Sequence, residues 1–147
     1  MKEVKGNIWT YPSDYKCITT NCALRKNGNA VMGAGIALQA KLRYPDIEAV
    51  LGRHIKLHAF GVGVCLIGHN LIAFPTKHSY RDNFSDINLI KKSAIELKEL
   101  SKSLPKKSII TLPRPGCSNG NLKWSIVKPI LESILTEDNF VIVDKGE

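Results

Sequence analysis

The sequence has little from which to build a metal centre or a disulfide scaffold. Its four cysteines, Cys17, Cys22, Cys65 and Cys117, form no CxxC pair and no short Cys/His cluster, so a metal site is not expected. Cysteines without a framework read as reduced thiols of a cytosolic protein. No apolar run approaches the roughly 18 residues of a membrane span. Met1-Lys2-Glu3-Val4-Lys5 lacks the apolar core of a signal peptide. The expected setting is cytoplasmic, with no membrane partner. Repeats, low-complexity stretches and linkers are missing too, so residues 1–147 are expected to form one domain with a real core. Acidic residues are also scarce, 13 against 21 Lys and Arg, for a net charge of +8. That surplus suits a polyanion such as nucleic acid or a nucleotide. The plainer reading is a basic, soluble surface, and Lys91-Lys92 and Lys106-Lys107 fall where a solvated face is expected.

The hydrophobic content is 44%, ordinary for a globular protein. Strands are expected over 4–11 and 15–20, with a helix over 35–43 that stops before Tyr44-Pro45. Pro45 can open a second helical piece over 46–54. Residues 63–67 and 71–76 read as strands joined by a tight turn at Gly68-His69-Asn70. An amphipathic helix over 85–101 has Ile87, Ile90, Ala94 and Leu97 on one face and Ser85 as its N-cap. Then come a short apolar strand at 109–113, a helix at 124–135, with Pro129 tolerable only near its start, and a last strand at 140–143. Strands alternating with helices imply an α/β fold with a mixed, largely parallel sheet between helical layers. Ligands of such sheets sit outside the carboxyl ends of the strands.

Two loops stand on that rim. The first runs from Asn21 through a turn at Asn27-Gly28-Asn29 to Gly33-Ala34-Gly35 and a helix start. Strand, glycine loop and helix N-terminus form a cradle for phosphate, because glycine bares the backbone and the helix offers unpaired N–H groups. The second, Arg114-Pro115-Gly116-Cys117-Ser118-Asn119-Gly120-Asn121, also follows a strand and enters a helix. Either loop alone reads equally as a tight turn. Two on one rim could hold a diphosphate from both sides. Cys22 and Cys117 lie near these loops, but no histidine stands in a motif that would activate a thiol.

With Gly6-Asn7-Ile8, Ile18 to Asn21, Val31 to Lys41 and Leu112 to Trp124 in this order and spacing, nearly the whole chain resembles a macrodomain, the ADP-ribose-binding fold. The resemblance implies a three-layer α/β/α architecture. It is greatest to the branch that removes ADP-ribose from proteins or from DNA bases. The ligand would then be ADP-ribose or an ADP-ribosylated substrate, with no separate cofactor. Asn7 and Ile8 would meet the adenine, and Asn21 the distal ribose. Gly33, Ala34, Gly35 and Ile36 would hold the diphosphate from one side. Pro113, Gly116, Cys117, Ser118, Asn119, Gly120 and Asn121 would hold it from the other. The pattern departs at two places: an aspartate of the first turn is Asn7, and an aspartate of the second loop is Gly120.

Lys41 matches the lysine expected in the helix after the first loop. Near the positive helix end and in partly apolar company, its neutral amine would be favoured. It could attack the anomeric carbon. As a cation it could instead stabilise a leaving group, and the plainer role is a solvated helix lysine. Lys77, His78 and Arg81, in the polar stretch after the strand at 71–76, could meet a phosphodiester or leaving group, or simply form a surface loop. His54, His58 and His69 read as structural or exposed, Arg114 as an anchor of the second loop, and Trp124 as core. The expected activity is hydrolysis of an ADP-ribosyl bond to a protein carboxylate or a nucleobase, by a monomer. Alternatives are a phosphatase of ADP-ribose 1″-phosphate, a non-catalytic reader of ADP-ribose, and a basic nucleic-acid-binding protein.

Overall fold

The computed structural model describes residues 1–57 and 63–146. The elements run β1 (Lys2–Lys5), β2 (Tyr15–Thr20), α1 (Gly35–Arg43), α2 (Ile47–Leu57), β3 (Cys65–Gly68), β4 (Leu71–Pro75), α3 (Ile87–Ser101), β5 (Ile110–Leu112), α4 (Trp124–Ile134) and β6 (Phe140–Asp144). The sheet order is β1-β6-β5-β2-β4-β3. Every pairing is parallel except that of β3, which runs antiparallel along β4 at the edge.

Alternation along the strands sorts the core into two layers. Cys17, Ile72, Phe74 and Ile142 face α3 and α4, where Ile90, Ala94, Leu97, Val127 and Leu131 meet them. Ile18, Leu71 and Ala73 face the other way, onto Ala37 and Ala40 of α1 and Ile47, Leu51 and Ile55 of α2. Each fully buried Ile or Leu contributes about 1.5–3 kcal/mol. The result is the expected α/β/α sandwich on a mixed, largely parallel sheet.

Several boundaries differ from the sequence reading, each for a local reason. The first strand begins at Lys2 and ends at Lys5 rather than running to Tyr11. Asn7 stops it: its Oδ1 accepts from the Trp9 N–H (2.9 Å) and its carbonyl accepts from Thr10 (3.1 Å) and Tyr11 (2.8 Å). Asp86, not Ser85, caps α3, accepting from the N–H groups of Asn88 (2.8 Å) and Leu89 (3.4 Å). Helix α2 starts at Ile47 and continues to Leu57. Pro129 lies beyond the first turn of α4, which accommodates it. The turn at Gly68-His69-Asn70 is as expected: His69 and Asn70 both take positive φ, 55° and 57°, which suits a two-residue hairpin.

β2 leads through α1 and α2 on one face, while β5 leads through α4 on the other. The sheet's switch point therefore lies between β2 and β5, and a crevice opens there at the carboxyl ends of the strands.

Candidate ligand-binding cleft

The first loop is held from both sides. Asn21 Nδ2 donates to the Val31 carbonyl (3.1 Å), and its Oδ1 accepts from the Ala23 N–H (2.9 Å). From behind, Glu48 Oε2 accepts from the Met32 N–H (3.1 Å). Gly28 takes φ +86° in the tight turn between Asn27 and Asn29. After this frame the chain reaches Gly33-Ala34-Gly35 and enters α1 with no side-chain cap. The positive end of α1 is thus left to the cleft.

The second loop is cross-tied. Gly116 takes φ +76° and Asn121 φ +58°. The Gly116 carbonyl accepts from the Leu122 N–H (2.9 Å), and the Gly120 carbonyl from the Ser85 N–H (2.9 Å). Asn121 Nδ2 donates to the Asn83 carbonyl (2.6 Å), and Lys77 Nζ to the Asn119 carbonyl (3.0 Å). A methyl on Gly116 would meet Ile90 Cδ1 at 2.7 Å, so only glycine lets this loop lie on α3. The loops approach each other closely. A Cβ on Gly35, which itself has φ +56°, would stand 2.8 Å from Asn119 Nδ2.

Between them lies a cleft of about 1540 Å³. Asn7, Ile8, Asn21, Gly33, Ala34, Gly35, Ile36, Pro113, Gly116, Cys117, Ser118, Asn119, Gly120 and Lys77 all line it. Strand order sets its direction: Asn7 and Ile8 follow β1 at one end, while Asn21 follows β2 and Lys77 follows β4 at the other.

Four residues singled out in the sequence are absent from the wall: Lys41, His78, Arg81 and Asn121. Asn121 braces the loop from outside through Asn83. Arg81 rests its guanidinium on the Tyr80 ring, 5.0 Å from the centroid. His78 Nε2 lies 2.9 Å from Asp86 Oδ2, so a partner eight residues away orients it. That bond holds the Asp86 carboxyl below its ordinary range, with the Asn88 and Leu89 N–H groups adding to the effect. The expected apolar surroundings of Lys41 are corrected. Its Nζ lies 3.4 Å from Glu48 Oε1, and its side chain is 35% exposed against 8% for the carboxylate.

Two further readings change. Asn7 spends one lone pair of its Oδ1 on the Trp9 N–H. Trp124 packs on the core edge yet lines the cleft, with the Arg114 guanidinium 5.2 Å from its ring centroid. Arg114 also reaches Asp144 (3.6 Å). His69 is structural, stacked on Tyr44 and 2.9 Å from Asp46; His58 lies outside the described residues.

The opposite wall was not legible in the sequence. Trp9 lines the cleft with Gln39 and Arg43. Its Nε1 donates to Gln39 Oε1 (2.7 Å), and Arg43 covers its ring at 4.2 Å. The one available signal was the position of Trp9, just after Gly6-Asn7-Ile8. Thr20 and Ser85 also line the cleft, and their buried hydroxyls have no hydrogen-bond partner among the described residues.

Thiol chemistry has no support in this site. Burial pushes the Cys117 thiol up to about 11, against the opposing influence of Arg114, so it stays protonated near neutral pH. Among the described residues, no group of three or more His, Cys, Asp or Glu side chains could hold a metal ion. No helix among them is long and apolar enough to cross a membrane.

Two glycine loops facing across the switch point of a largely parallel sheet define a domain built for a ligand that carries phosphate. No family model matches the chain. It is 31% identical over 123 residues, 78% of its length, to a Mycobacterium tuberculosis protein named DNA ADP-ribosyl glycohydrolase. It is 30% identical over 134 residues, 76% of its length, to a Thermosipho africanus protein named DNA ADP-ribosyl transferase-DNA ADP-ribosyl glycohydrolase fusion protein. The chain spans about a third of these relatives' length, 33% and 34%. The solved macrodomain of Mycobacterium tuberculosis DarG matches with a TM-score of 0.78 at 26% identity, over 99% of this chain and 97% of that one. The macrodomain of Thermus aquaticus DarG matches with a TM-score of 0.77 at 24% identity, over the same shares of the two chains, 99% and 97%. The chain belongs to the macrodomain family, and within it resembles the DarG macrodomains.

Proposed function

We propose that this chain binds ADP-ribose across the cleft and removes it from a modified macromolecule by hydrolysis, with a nucleobase as the favoured acceptor. The observation that carries this reading is the close approach of the two loops, Gly35 to Asn119, over one crevice. Backbone N–H groups of glycine-rich loops on both sides suit a diphosphate there. The names of the relatives support DNA as the modified macromolecule, and the net charge of +8 suits that polyanion.

Geometry favours Lys77, rather than Lys41, as the amine of the reaction. Lys77 lines the cleft beside Asn21 and touches the second loop at Asn119, while Lys41 is engaged with Glu48 behind the first loop. In the reaction water supplies its hydroxyl to the anomeric carbon, the bond to the acceptor breaks, and the acceptor leaves with a proton. Lys77 stands at the end where that bond would lie. As a free amine it would displace the acceptor at the anomeric carbon, and water would then cleave the lysine–carbon bond to release ADP-ribose and return the amine; as a cation it would instead stabilise the departing group while water attacks directly.

The test offers the protein ADP-ribosylated DNA, an ADP-ribosylated glutamyl protein and ADP-ribose 1″-phosphate, with products followed by chromatography. Release of ADP-ribose from DNA is the expected result. Turnover of the 1″-phosphate alone would replace hydrolysis of a macromolecular bond with a phosphatase. Binding of ADP-ribose without turnover of any substrate would leave a reader domain.

A further inference from the structure

Behind the first loop lies a charged cluster that no part of the proposed reaction uses. Glu48, in the first turn of α2, has a side chain only 8% exposed. Its Oε2 accepts from the Met32 N–H (3.1 Å) and from Arg25 Nη2 (3.2 Å), and its Oε1 faces Lys41 Nζ (3.4 Å). Its backbone carbonyl accepts from the Ala30 N–H (2.9 Å). One residue thus ties together the outer turn, the residue that precedes Gly33-Ala34-Gly35, and α1.

The company it keeps is specific. A buried carboxylate is costly unless its charge is matched and its lone pairs are used. Here two cations from different segments match it, and an amide occupies the inner oxygen. The adjoining helix is fitted to the same task. A Cβ on Gly52 would strike the Gly28 carbonyl and lie 2.9 Å from Asn29 Cα, so α2 presses flush against the loop it anchors. Met32 is fully buried between Val31 and Gly33, which both line the cleft.

We propose that Glu48 is a positioning residue for the diphosphate-binding loop. It acts through the Met32 N–H, and Lys41 and Arg25 are its counter-charges. This rests on the reading of the cleft as an ADP-ribose site. Preorganised amides bind an anion without the cost of ordering the loop on each encounter. Glu48→Gln keeps the size and an acceptor oxygen but removes the charge that holds two cations, so the loop loses its fixed frame. A residue that shapes binding rather than bond cleavage moves KM and leaves kcat.

The experiment compares wild type with E48Q by calorimetry with ADP-ribose and by turnover of ADP-ribosylated DNA. Kd and KM are expected to rise at least about tenfold, with kcat at saturation within about threefold of wild type. Lys41→Met in the E48Q background is expected to recover part of the lost affinity, because it removes an ammonium left without a partner. A Kd for E48Q within twofold of wild type overturns the proposal. So does a fall in kcat at unchanged KM. Should E48Q not fold, Arg25→Met and Lys41→Met carry the test: each removes one counter-charge, and unchanged Kd in both overturns the proposal. Failure of the wild type to bind ADP-ribose is a separate result, and it counts against the reading of the cleft.

Discussion

Lys77 and Lys41 differ in what their ammonium groups touch. Lys77 donates to a loop carbonyl at the cleft wall, while Lys41 faces a buried carboxylate on another helix. Replacement by alanine should therefore separate them. Lys77→Ala is expected to lower kcat about a hundredfold or more, with ADP-ribose affinity nearly kept, as removal of a group acting only on the reacting bond requires. Lys41→Ala is expected to keep kcat within about threefold and weaken binding. Single-turnover kinetics beside calorimetry measures both, and the opposite pattern would return the chemistry to Lys41. The resemblance singled out Lys41 by its place in the helix after the first loop, and its spacing from Gly35 is local information. The partner that decides its environment, Glu48, comes from α2 and could not be read from that spacing. Lys77 was named only as a substrate contact, since its nearness to Asn119 depends on the packing of β4 beside β2.

At the scale of elements, the segment from Thr76 to Asp86 shows how one strand end serves the cleft. Asp86 closes it. Its N–H donates to the Thr76 carbonyl (2.9 Å), and its side chain caps α3 and holds His78. Asp86→Ala is expected to cost about 1 kcal/mol of stability in urea titrations, the usual worth of an N-cap. The pH dependence has a definite sign. The folded-state pKa of Asp86 is lowered, first by the bond to His78. Its ionic contribution is therefore present above the unfolded value of about 3.9 and is lost as pH falls through the lower folded value. Asp86→Asn keeps a capping oxygen, so the gap between wild type and this variant should narrow below about pH 4. A gap constant from pH 7 to 3 would remove the carboxylate from the account. The helix itself was legible from its apolar spacing at Ile90, Ala94 and Leu97. Its cap was not, because Ser85 and Asp86 are both good caps and only the second loop decides between them. That loop takes the Ser85 N–H and covers the Ser85 hydroxyl at Gly120.

For the whole molecule, charge and shape act together. Strands alternating with helices made the sheet and its two helical layers readable in advance, and in the structure Cys17 and Ile18 face opposite sides of that sheet. That alternation carried no information on the cleft's charge, which comes from strand ends brought together by the fold. Lys5, Arg43, Lys77, Arg114 and Lys145 line the cleft against one acid, Asp144. A concave wall with a surplus of positive charge draws an anionic ligand in and raises its rate of encounter. The chain's two tryptophans, Trp9 and Trp124, both line this cleft, so their emission supplies an internal reporter. Stopped-flow mixing with ADP-ribose should give a saturable emission change. Raising the ionic strength from about 0.01 M to about 1 M shortens the screening length from about 30 Å to about 3 Å. Association should slow at least about tenfold across that range. Dissociation should change little, because the contacts that hold the diphosphate are short-range bonds to loop amides that salt screens weakly. An association rate independent of salt would mean that the positive wall does not steer the ligand. A dissociation rate that rose with salt as steeply as association fell would assign the grip itself to long-range charge rather than to the two loops.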